Sequence, residues 1–243
     1  MTYLFISDLH LSPDHPRLVR GFFDLLDHYQ DQNTQLYILG DWFNAWLGDD
    51  DNAPWLSDVV NQLQKFTAKG NHIYFLVGNR DFALGQAFLD QFSGQLLPEV
   101  AYLNIANQRI RLEHGDGLCT DDVGYQRFKK IIRHPCLLGL LKATPLRFRQ
   151  KLAQGFRRQS RAAQQHKSYT IMDVNPDAVQ HAMQEVDLLI HGHTHRPAEH
   201  TMSTHKIRIV LGDWREQSLE AMCLEINDKG LHFFNALALK PEE

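Results

Sequence analysis

The sequence predicts an α/β protein in which helices cover the sheets, and three patterns indicate this. Short apolar, β-branched or aromatic runs are typical of buried strands. The early runs alternate with helical patterns, which favours sheets flanked by helices. The later runs follow one another without helices, so we expect them to form a second sheet. The predicted strands are Tyr3–Ile6, Gln35–Leu39, His72–Val77, Ile110–Glu113, Asp187–Ile190, Ile207–Leu211, Leu219–Ile226 and Leu231–Asn235.

The predicted helices of the core lie between the early strands. Arg17–Tyr29 places its apolar residues at helical spacing, and Trp55–Phe66 and Gly85–Phe92 show a similar pattern. In Arg17–Tyr29 the apolar stripe consists of Leu18, Phe22, Leu25, Leu26 and Tyr29.

Composition limits the class of protein. The 243 residues, 43% of them apolar, suffice for one large domain, or for one domain with an insertion, and exclude a disordered chain. No apolar run is long enough to span a bilayer, and MTYLFISDLHL lacks the basic leader of a signal peptide. Cys119, Cys136 and Cys223 form no CxxC pair, which argues against a disulfide framework and favours a reducing cytoplasm.

Charge is distributed unevenly along the chain. The segment from Gly124 to Met172 has no Asp or Glu but holds twelve of the 25 Lys and Arg residues. Within it, Tyr125–Arg133 and Leu146–Lys167 are compatible with helices that carry basic residues on one side. The apolar residues of the other side are Phe128, Ile131, Leu146, Phe148, Leu152 and Phe156. We therefore predict a core of residues 1–123 and 172–243, interrupted by a basic helical insertion of residues 124–171.

Metal-ligand residue types follow five predicted strands in succession. Ligands bind beyond the carboxyl ends of strands in α/β sheets, and adjacent glycines let the backbone turn sharply there. Side chains far apart in sequence can therefore meet in one crevice. The five strand ends are Ser7-Asp8-Leu9-His10, Gly40-Asp41, Gly78-Asn79-Arg80-Asp81, Glu113-His114-Gly115-Asp116 and His191-Gly192-His193-Thr194-His195.

The ligand types at these strand ends indicate a catalytic metal centre. Imidazole, carboxylate and amide oxygen without thiolate suit Mn²⁺, Fe²⁺, Mg²⁺ or Zn²⁺. A single DxH, GD turn or HxH on a strand edge can be explained as a structural feature. The occurrence of all five strand-end motifs in order is much harder to explain in that way. The seven candidates exceed the needs of one ion and fit two ions that share a carboxylate. They are Asp8, His10, Asp41, Asn79, His114, His193 and His195.

These motifs, DxH, GD, GN(H/R)D, HGD and GHTH, resemble those of the calcineurin-like metallophosphoesterases along the whole chain. The resemblance implies a four-layer αββα sandwich with two mixed sheets. It implies that Asp8, His10, Asp41 and His195 hold one metal ion. Asp41, Asn79, His114 and His193 would hold the other, with Asp41 bridging. His191 is not a ligand in the family pattern and is expected to support the site.

Longer strings point to one branch of this family. FISDLHL, YILGDWFNAWLGDDD, GNRDF, HGDGLCTDD, IMDVN and LIHGHTHRP resemble enzymes of lipid A biosynthesis that split the diphosphate of UDP-2,3-diacylglucosamine into UMP and 2,3-diacylglucosamine 1-phosphate. The resemblance implies two divalent ions, most often Mn²⁺, that activate the attacking water. It also implies a peripheral protein on the cytoplasmic face of the bacterial inner membrane, and we expect a monomer.

Arg80 bears on the bond that is cleaved. Many family members that act on monoesters carry a proton-donating His at this position, whereas Arg stays protonated and suits bidentate contacts with phosphate oxygens. A diphosphate leaving group needs charge stabilisation more than a proton, so Arg80 favours a diphosphate substrate. A structural role as the partner of Asp81 is the alternative. We expect catalytic roles for Asn79, Arg80, His114 and His193, and expect Asp81 to orient a metal-ligating His.

The basic insertion has two interpretations. It could bind nucleic acid, or it could cap the site and contact anionic lipid. The apolar Leu137–Leu141 run and the family resemblance favour lipid, so we expect no nucleic-acid partner. Carried over by position, the substrate contacts would be Asn79, Arg80, Asp122, Ser160, Gln164, Lys167 and His193. Gln164 stands where the branch often has Asn, which leaves sugar recognition there in doubt.

Two other functions compete with this interpretation. A hydrolase of a soluble nucleotide, such as a dinucleoside polyphosphate or a nucleotide-sugar, would need no apolar basic insertion. A non-catalytic scaffold of the family would have lost metal ligands, and none of the seven is missing from this sequence.

Overall fold

The computed structural model describes residues 1–164 and 173–239, with side chains described outside residues 156–164. Its first sheet has seven strands in the order β10-β11-β1-β2-β3-β4, with β12 paired to β11. β1, β2, β3 and β4 run parallel, whereas β11 is antiparallel to β1, β10 and β12, so the sheet is mixed. Its strands are β1 Thr2–Ile6, β2 Thr34–Leu39, β3 His72–Leu76, β4 Gln95–Leu96, β10 Trp214–Arg215, β11 Glu220–Asn227 and β12 Gly230–Asn235.

The second sheet has five strands in the order β5-β6-β7-β9-β8. It is also mixed, because β6, β7 and β9 are parallel while β5 and β8 pair antiparallel at its edges. Its strands are β5 Val100–Ile105, β6 Gln108–Glu113, β7 Leu188–His191, β8 Ala198–Ser203 and β9 Lys206–Val210. Four strands were not predicted, namely β4, β5, β8 and β10, which are short or lie at sheet edges where alternation is weak.

The prediction that the late strands form the second sheet is wrong in part. β11 and β12 return to the first sheet, where Phe5 of β1 pairs with Leu224. The second sheet instead joins β5 and β6, from the middle of the chain, to β7, β8 and β9. Residue periodicity indicates that a segment is a strand but does not specify its pairing partner, which explains the error.

Three hydrophobic clusters separate four layers. Alternate residues of β1 face opposite ways: Leu4 and Ile6 pack with the helices on one side, and Phe5 packs between the two sheets. A third cluster packs Leu189 of the second sheet against Val179 of the last helix. Because both faces of the central strands are buried, their sequences are nearly continuous apolar runs. The predicted αββα sandwich is confirmed.

Seven α-helices occur among the described residues, namely α1 Pro16–Tyr29, α2 Pro54–Ala68, α3 Gln86–Leu89, α4 Val123–Ile132, α5 Pro135–Lys142, α6 Leu146–Gln164 and α7 Pro176–Ala182. The predicted apolar stripe of α1 is buried, from Leu18 to Tyr29. The helix predicted at Gly85–Phe92 is shorter and continues as a 3₁₀ turn, Asp90–Phe92. α5 and α7 were not predicted. None of these helices, within the described residues, is long and apolar enough to cross a bilayer.

The inserted helix α4 turns part of its basic side towards the core. Lys129 and Arg133 both pair with the buried Asp116, at 3.0 and 3.1 Å, and with Glu99, at 3.2 and 2.7 Å. Its apolar Phe128 and Ile131 are exposed instead, by 40% and 62%. The core edge under α4 is acidic, so ion pairing rather than apolar burial sets the rotation of this helix.

A buried arginine attaches α6 to the core. The Arg149 side chain is 1% exposed, pairs with Asp50 and donates to the Leu47 carbonyl at 2.6 Å. Of the twelve basic residues between Gly124 and Met172, Lys129, Arg133 and Arg149 therefore neutralise carboxylates that precede this segment in the chain. The basic character of the insertion is partly structural, which its sequence alone did not reveal.

Candidate metal centre

The ends of five strands from both sheets meet at one place. β1, β2 and β3 belong to the first sheet, and β6 and β7 to the second. Hydrogen bonds join the two sheets at this place. His114, after β6, donates from Nδ1 to the Leu39 carbonyl of β2 at 2.8 Å. The backbone N–H of His193, beyond β7, donates to Asp8 Oδ2 at 2.8 Å. The crevice therefore lies between two sheets rather than along one.

Five of the seven candidate ligands have a left-handed backbone. The φ angles are 55° for Asp8, 49° for His10, 51° for Asp41, 69° for His193 and 56° for His195. Each such residue costs roughly 1–3 kcal/mol, and such strain concentrates at functional sites. The strained conformations turn the side chains away from the strand direction and into the crevice.

Two glycines permit the close approach of these loops. A Cβ on Gly192 would lie 2.0 Å from Ser7 Oγ and 2.3 Å from Asp8 Oδ2. A Cβ on Gly40, whose φ is +83°, would lie 2.6 Å from Gly78 Cα. Larger residues at either position would separate the strand ends that carry the candidate ligands.

Asp8, His10 and His195 form one group of possible ligand atoms, all within 4.8 Å of one another. His195 Nε2 lies 3.2 Å from Asp8 Oδ1, and His195 Nδ1 lies 3.1 Å from Asp213 Oδ2. Burial lowers the pKa of His195, but its hydrogen bonds to these two carboxylates raise it to about 10. Burial and nearby Arg80 lower the pKa of His10 to about 3, which keeps that imidazole neutral.

Asp8, Asp41 and His114 form the second group, and Asn79 and His193 lie beside it. His114 Nε2 lies 3.0 Å from Asn79 Oδ1, 3.2 Å from His193 Nδ1 and 3.7 Å from Asp41 Oδ1. The other oxygen of Asp41, Oδ2, lies 4.0 Å from His10 Nδ1. Asp41 therefore faces a histidine of each group, as expected for a bridging carboxylate. All seven candidates are brought together.

These residues fit a pair of divalent cations. Both ring nitrogens of His10 are buried and have no hydrogen-bond partner among the described residues. Because Nδ1 of His114 donates to Leu39, Nε2 carries the lone pair in the neutral imidazole and faces Asn79 Oδ1. Burial lowers the pKa of His114, but the Asp41 and Asp8 carboxylates outweigh it and raise that pKa, as expected where negative charge is concentrated for a cation. Burial lowers the pKa of His193 to about 4, so His193 presents a neutral imidazole. Carboxylate, amide and imidazole groups that converge on one crevice in this way are suited to a cation.

The structure corrects the expectation for Asp81. Its carboxylate contacts no histidine side chain among the described hydrogen bonds; it accepts the backbone N–H groups of Asp41, Trp42 and Gly78 at 3.2, 2.7 and 2.8 Å. Asp81 thus joins the β2 and β3 loops to each other. Burial and neighbouring Asp41 raise its pKa to about 7 despite these hydrogen bonds.

The guanidinium of Arg80 pairs with Asp41 and Asn44 rather than with Asp81. Its Nε lies 3.4 Å from Asp41 Oδ2, and its Nη1 donates to Asn44 Oδ1 at 3.0 Å. The side chain is 40% exposed. Arg80 therefore lies at the mouth of the crevice, held beside a candidate metal ligand and still accessible.

Sequence reasoning missed Asp213. It follows β9 as Gly212-Asp213, the same pattern that marked Gly40-Asp41, so a signal was available. His191, which was not predicted to be a ligand, is buried and its Nδ1 donates to the Gly192 carbonyl at 2.9 Å; the two groups of possible ligand atoms found among the described residues do not include it.

The remaining predicted substrate residues are not gathered at the crevice by the described contacts. Asp122 Oδ1 accepts the Tyr125 N–H at 3.0 Å and caps α4. Ser160 and Gln164 are in α6, but their side chains lie outside the described residues, as does the whole of Lys167. Their contacts with substrate stay predictions.

The fold and the site define a metallophosphoesterase. The calcineurin-like phosphoesterase family matches residues 1–197, and the chain belongs to that family. The family implies a pair of divalent ions at the site. This confirms the predicted class, a metal-dependent phosphoester hydrolase.

Two relatives that are more than 40% identical to this chain share one name. The UDP-2,3-diacylglucosamine hydrolase of Cellvibrio japonicus is 43% identical over 97% of this chain and 99% of its own length. That of Serratia proteamaculans is 45% identical over 88% of this chain and 91% of its own. An archaeal phosphodiesterase of known structure aligns over 97% of this chain and 99% of its own, with 12% identity and a TM-score of 0.49. So distant a likeness carries no argument about this chain.

Proposed function

We propose that this chain hydrolyses the diphosphate of UDP-2,3-diacylglucosamine to UMP and 2,3-diacylglucosamine 1-phosphate, a step of lipid A biosynthesis. Relatives of that name match it at 43% and 45% identity over nearly their whole lengths, and this observation carries the proposal. The assembled candidate ligands support it, since a complete site distinguishes an enzyme from a scaffold.

In this proposal, one set of residues binds the metal ions and Arg80 binds the substrate. Asp8, His10, Asp41 and His195 would hold one divalent ion, and Asp41, Asn79, His114 and His193 the other. Bound ions of this kind act as Lewis acids and lower the pKa of water towards neutrality. Arg80, beside Asp41 and accessible at the crevice mouth, would bind non-bridging oxygens of the diphosphate and stabilise charge as the bond breaks.

We expect Mn²⁺ to be the preferred ion. The donor set of carboxylate, amide and imidazole groups, without a thiolate, accepts Mn²⁺ but does not exclude other divalent ions. None of the three cysteines belongs to the groups of possible ligand atoms among the described residues: Cys119 and Cys223 are buried, and Cys136 is exposed on α5.

A comparison of two substrates tests the proposal. We expect kcat/KM for UDP-2,3-diacylglucosamine to exceed that for UDP-N-acetylglucosamine by about 10³-fold, because burying only five acyl CH₂ groups contributes roughly 4 kcal/mol. Activity should vanish after chelation and return with Mn²⁺. Equal rates on the two substrates would overturn the lipid assignment and favour a soluble-nucleotide hydrolase. Full activity after complete chelation would contradict the metal centre itself.

The inserted helices also present a surface suited to anionic lipid. A groove of about 450 Å³ between α4 and α5 is lined by Arg127, Lys130, Ile131, His134 and Leu137. On α5 and α6, Leu140 and Phe148 are exposed by 67% and 51%. Cations next to exposed apolar side chains favour binding at the interface of an anionic bilayer. This supports peripheral attachment to the cytoplasmic face of the inner membrane.

Vesicle binding tests the membrane surface. Changing both Arg127 and Lys130 to Gln should weaken binding to vesicles of phosphatidylglycerol and phosphatidylethanolamine by about 10- to 30-fold, at roughly 1 kcal/mol per charge. Lys65→Gln with Lys69→Gln, on and just after α2, is the control and should leave binding unchanged. A wild-type protein with no preference for anionic over neutral vesicles would contradict the assignment.

A further inference from the structure

The segment after β9 is fixed beside the candidate metal centre. Leu211 donates its N–H to the His191 carbonyl at 2.7 Å, and Trp214 donates its N–H to the Asp8 carbonyl at 3.0 Å. The backbone of residues 211–214 is thus bound to the ends of β7 and β1. Asp213 lies within this segment, so its position is determined independently of its own side chain.

The side chain of Asp213 contacts one imidazole on the side away from the crevice. Its Oδ2 lies 3.1 Å from His195 Nδ1, while His195 Nε2 lies 3.2 Å from Asp8 Oδ1. Arg215 Nε donates to the same Asp213 oxygen at 2.9 Å and restrains the carboxylate. The two ring nitrogens of His195 therefore have different surroundings: one faces a restrained acceptor, and the other faces the candidate ligand group.

A histidine can bind a metal ion only through a nitrogen that carries a lone pair. An acceptor that holds the proton on the other nitrogen fixes both the tautomer and the ring orientation. His195 needs such a restraint because its ring is partly exposed and its backbone has a φ of +56°. Asp213 is placed to keep the proton on Nδ1 and leave Nε2 directed at Asp8 and His10.

We propose that Asp213 is a positioning residue that holds His195 in the orientation and tautomer required to bind one of the two metal ions. The inference rests on the proposed function in that it assumes the crevice binds divalent cations. It concerns only the ion held by Asp8, His10 and His195, and leaves the His114 side of the site unaffected.

Stepwise Mn²⁺ titration of the metal-free full-length protein, followed by electron paramagnetic resonance, tests this. Asp213→Ala should lower the affinity for one of the two Mn²⁺ ions by about 10- to 100-fold. At two equivalents of Mn²⁺, the signal of the spin-coupled pair should then be absent. Asp213→Asn keeps an acceptor oxygen for the Nδ1–H of His195, so its affinity for that ion should fall less than in Asp213→Ala. Glu220→Gln removes a different partner of Arg215, 3.7 Å away, and should bind both ions as the wild type does.

The possible results separate this inference from the proposed function. Wild-type affinity for both ions in Asp213→Ala would overturn the inference alone. Equal weakening of both ions, or a lower thermal midpoint of the metal-free variant than of metal-free Glu220→Gln, would indicate a merely structural role and also overturn it. A wild-type protein that binds no Mn²⁺ would overturn the metal centre and the inference together.

Discussion

Replacing His114 with alanine is expected to lower kcat by about 10³-fold or more, because loss of one metal ion removes roughly 4 kcal/mol or more of transition-state stabilisation. His114 is one of the most buried candidate ligands, with 1% of its side chain exposed. Its Nε2 faces Asn79, His193 and Asp41 within 3.7 Å, and its ring is held by the Leu39 carbonyl. Steady-state hydrolysis of UDP-2,3-diacylglucosamine at saturating Mn²⁺ measures the effect.

Two further variants distinguish the loss of a metal ligand from a loss of folding. His114 is buried, so its removal could also affect folding, whereas Asn79 is only half-buried and Asn79→Ala should lose turnover without that complication. His205, exposed on the turn between β8 and β9, provides a His→Ala control that should retain full activity. Near-normal turnover of Asn79→Ala and His114→Ala with Mn²⁺ present would refute the ligand assignment.

Replacing Arg80 with alanine is expected to lower kcat for the diphosphate by about 10²- to 10³-fold, the usual loss when one charge-stabilising donor is removed. Arg80→Lys should recover only part of this, because an ammonium cannot reproduce the bidentate contact of a guanidinium. Arg80→His should lower the ratio of diphosphate to p-nitrophenyl phosphate hydrolysis, since histidine can protonate an alkoxide leaving group. Parallel assays on the two substrates measure this ratio.

The control for Arg80 lies on α1. Arg20 is exposed and pairs with Asp24 at 2.8 Å, so Arg20→Ala removes an ion-paired arginine remote from the crevice. It should leave both activities unchanged. If Arg80→Ala instead loses thermal stability while keeping kcat, the structural role through Asp41 and Asn44 is the correct one.

Asp81, Asp213 and Asp116 show where sequence reasoning about the site reached its limit. All three are aspartates directly after or near strand ends, and nothing in the local sequence distinguishes their roles. In the structure Asp81 binds three backbone N–H groups, Asp213 binds a histidine, and Asp116 binds Lys129 and Arg133 of α4. These differences depend on which loop lies opposite each carboxylate, and no local pattern encodes that.

The sequence by itself determined eight of the twelve described strands, the residue types that follow them and the family to which the chain belongs. Alternating burial produces apolar runs, and metal chemistry restricts the residues that can end them, so both leave local marks in the chain. Only the tertiary structure decided that β11 and β12 join the first sheet and that the crevice lies between two sheets. It also decided that Lys129, Arg133 and Arg149 face inwards. Strand pairing and ion pairing join residues far apart in the chain, so their outcome is fixed only when the chain folds.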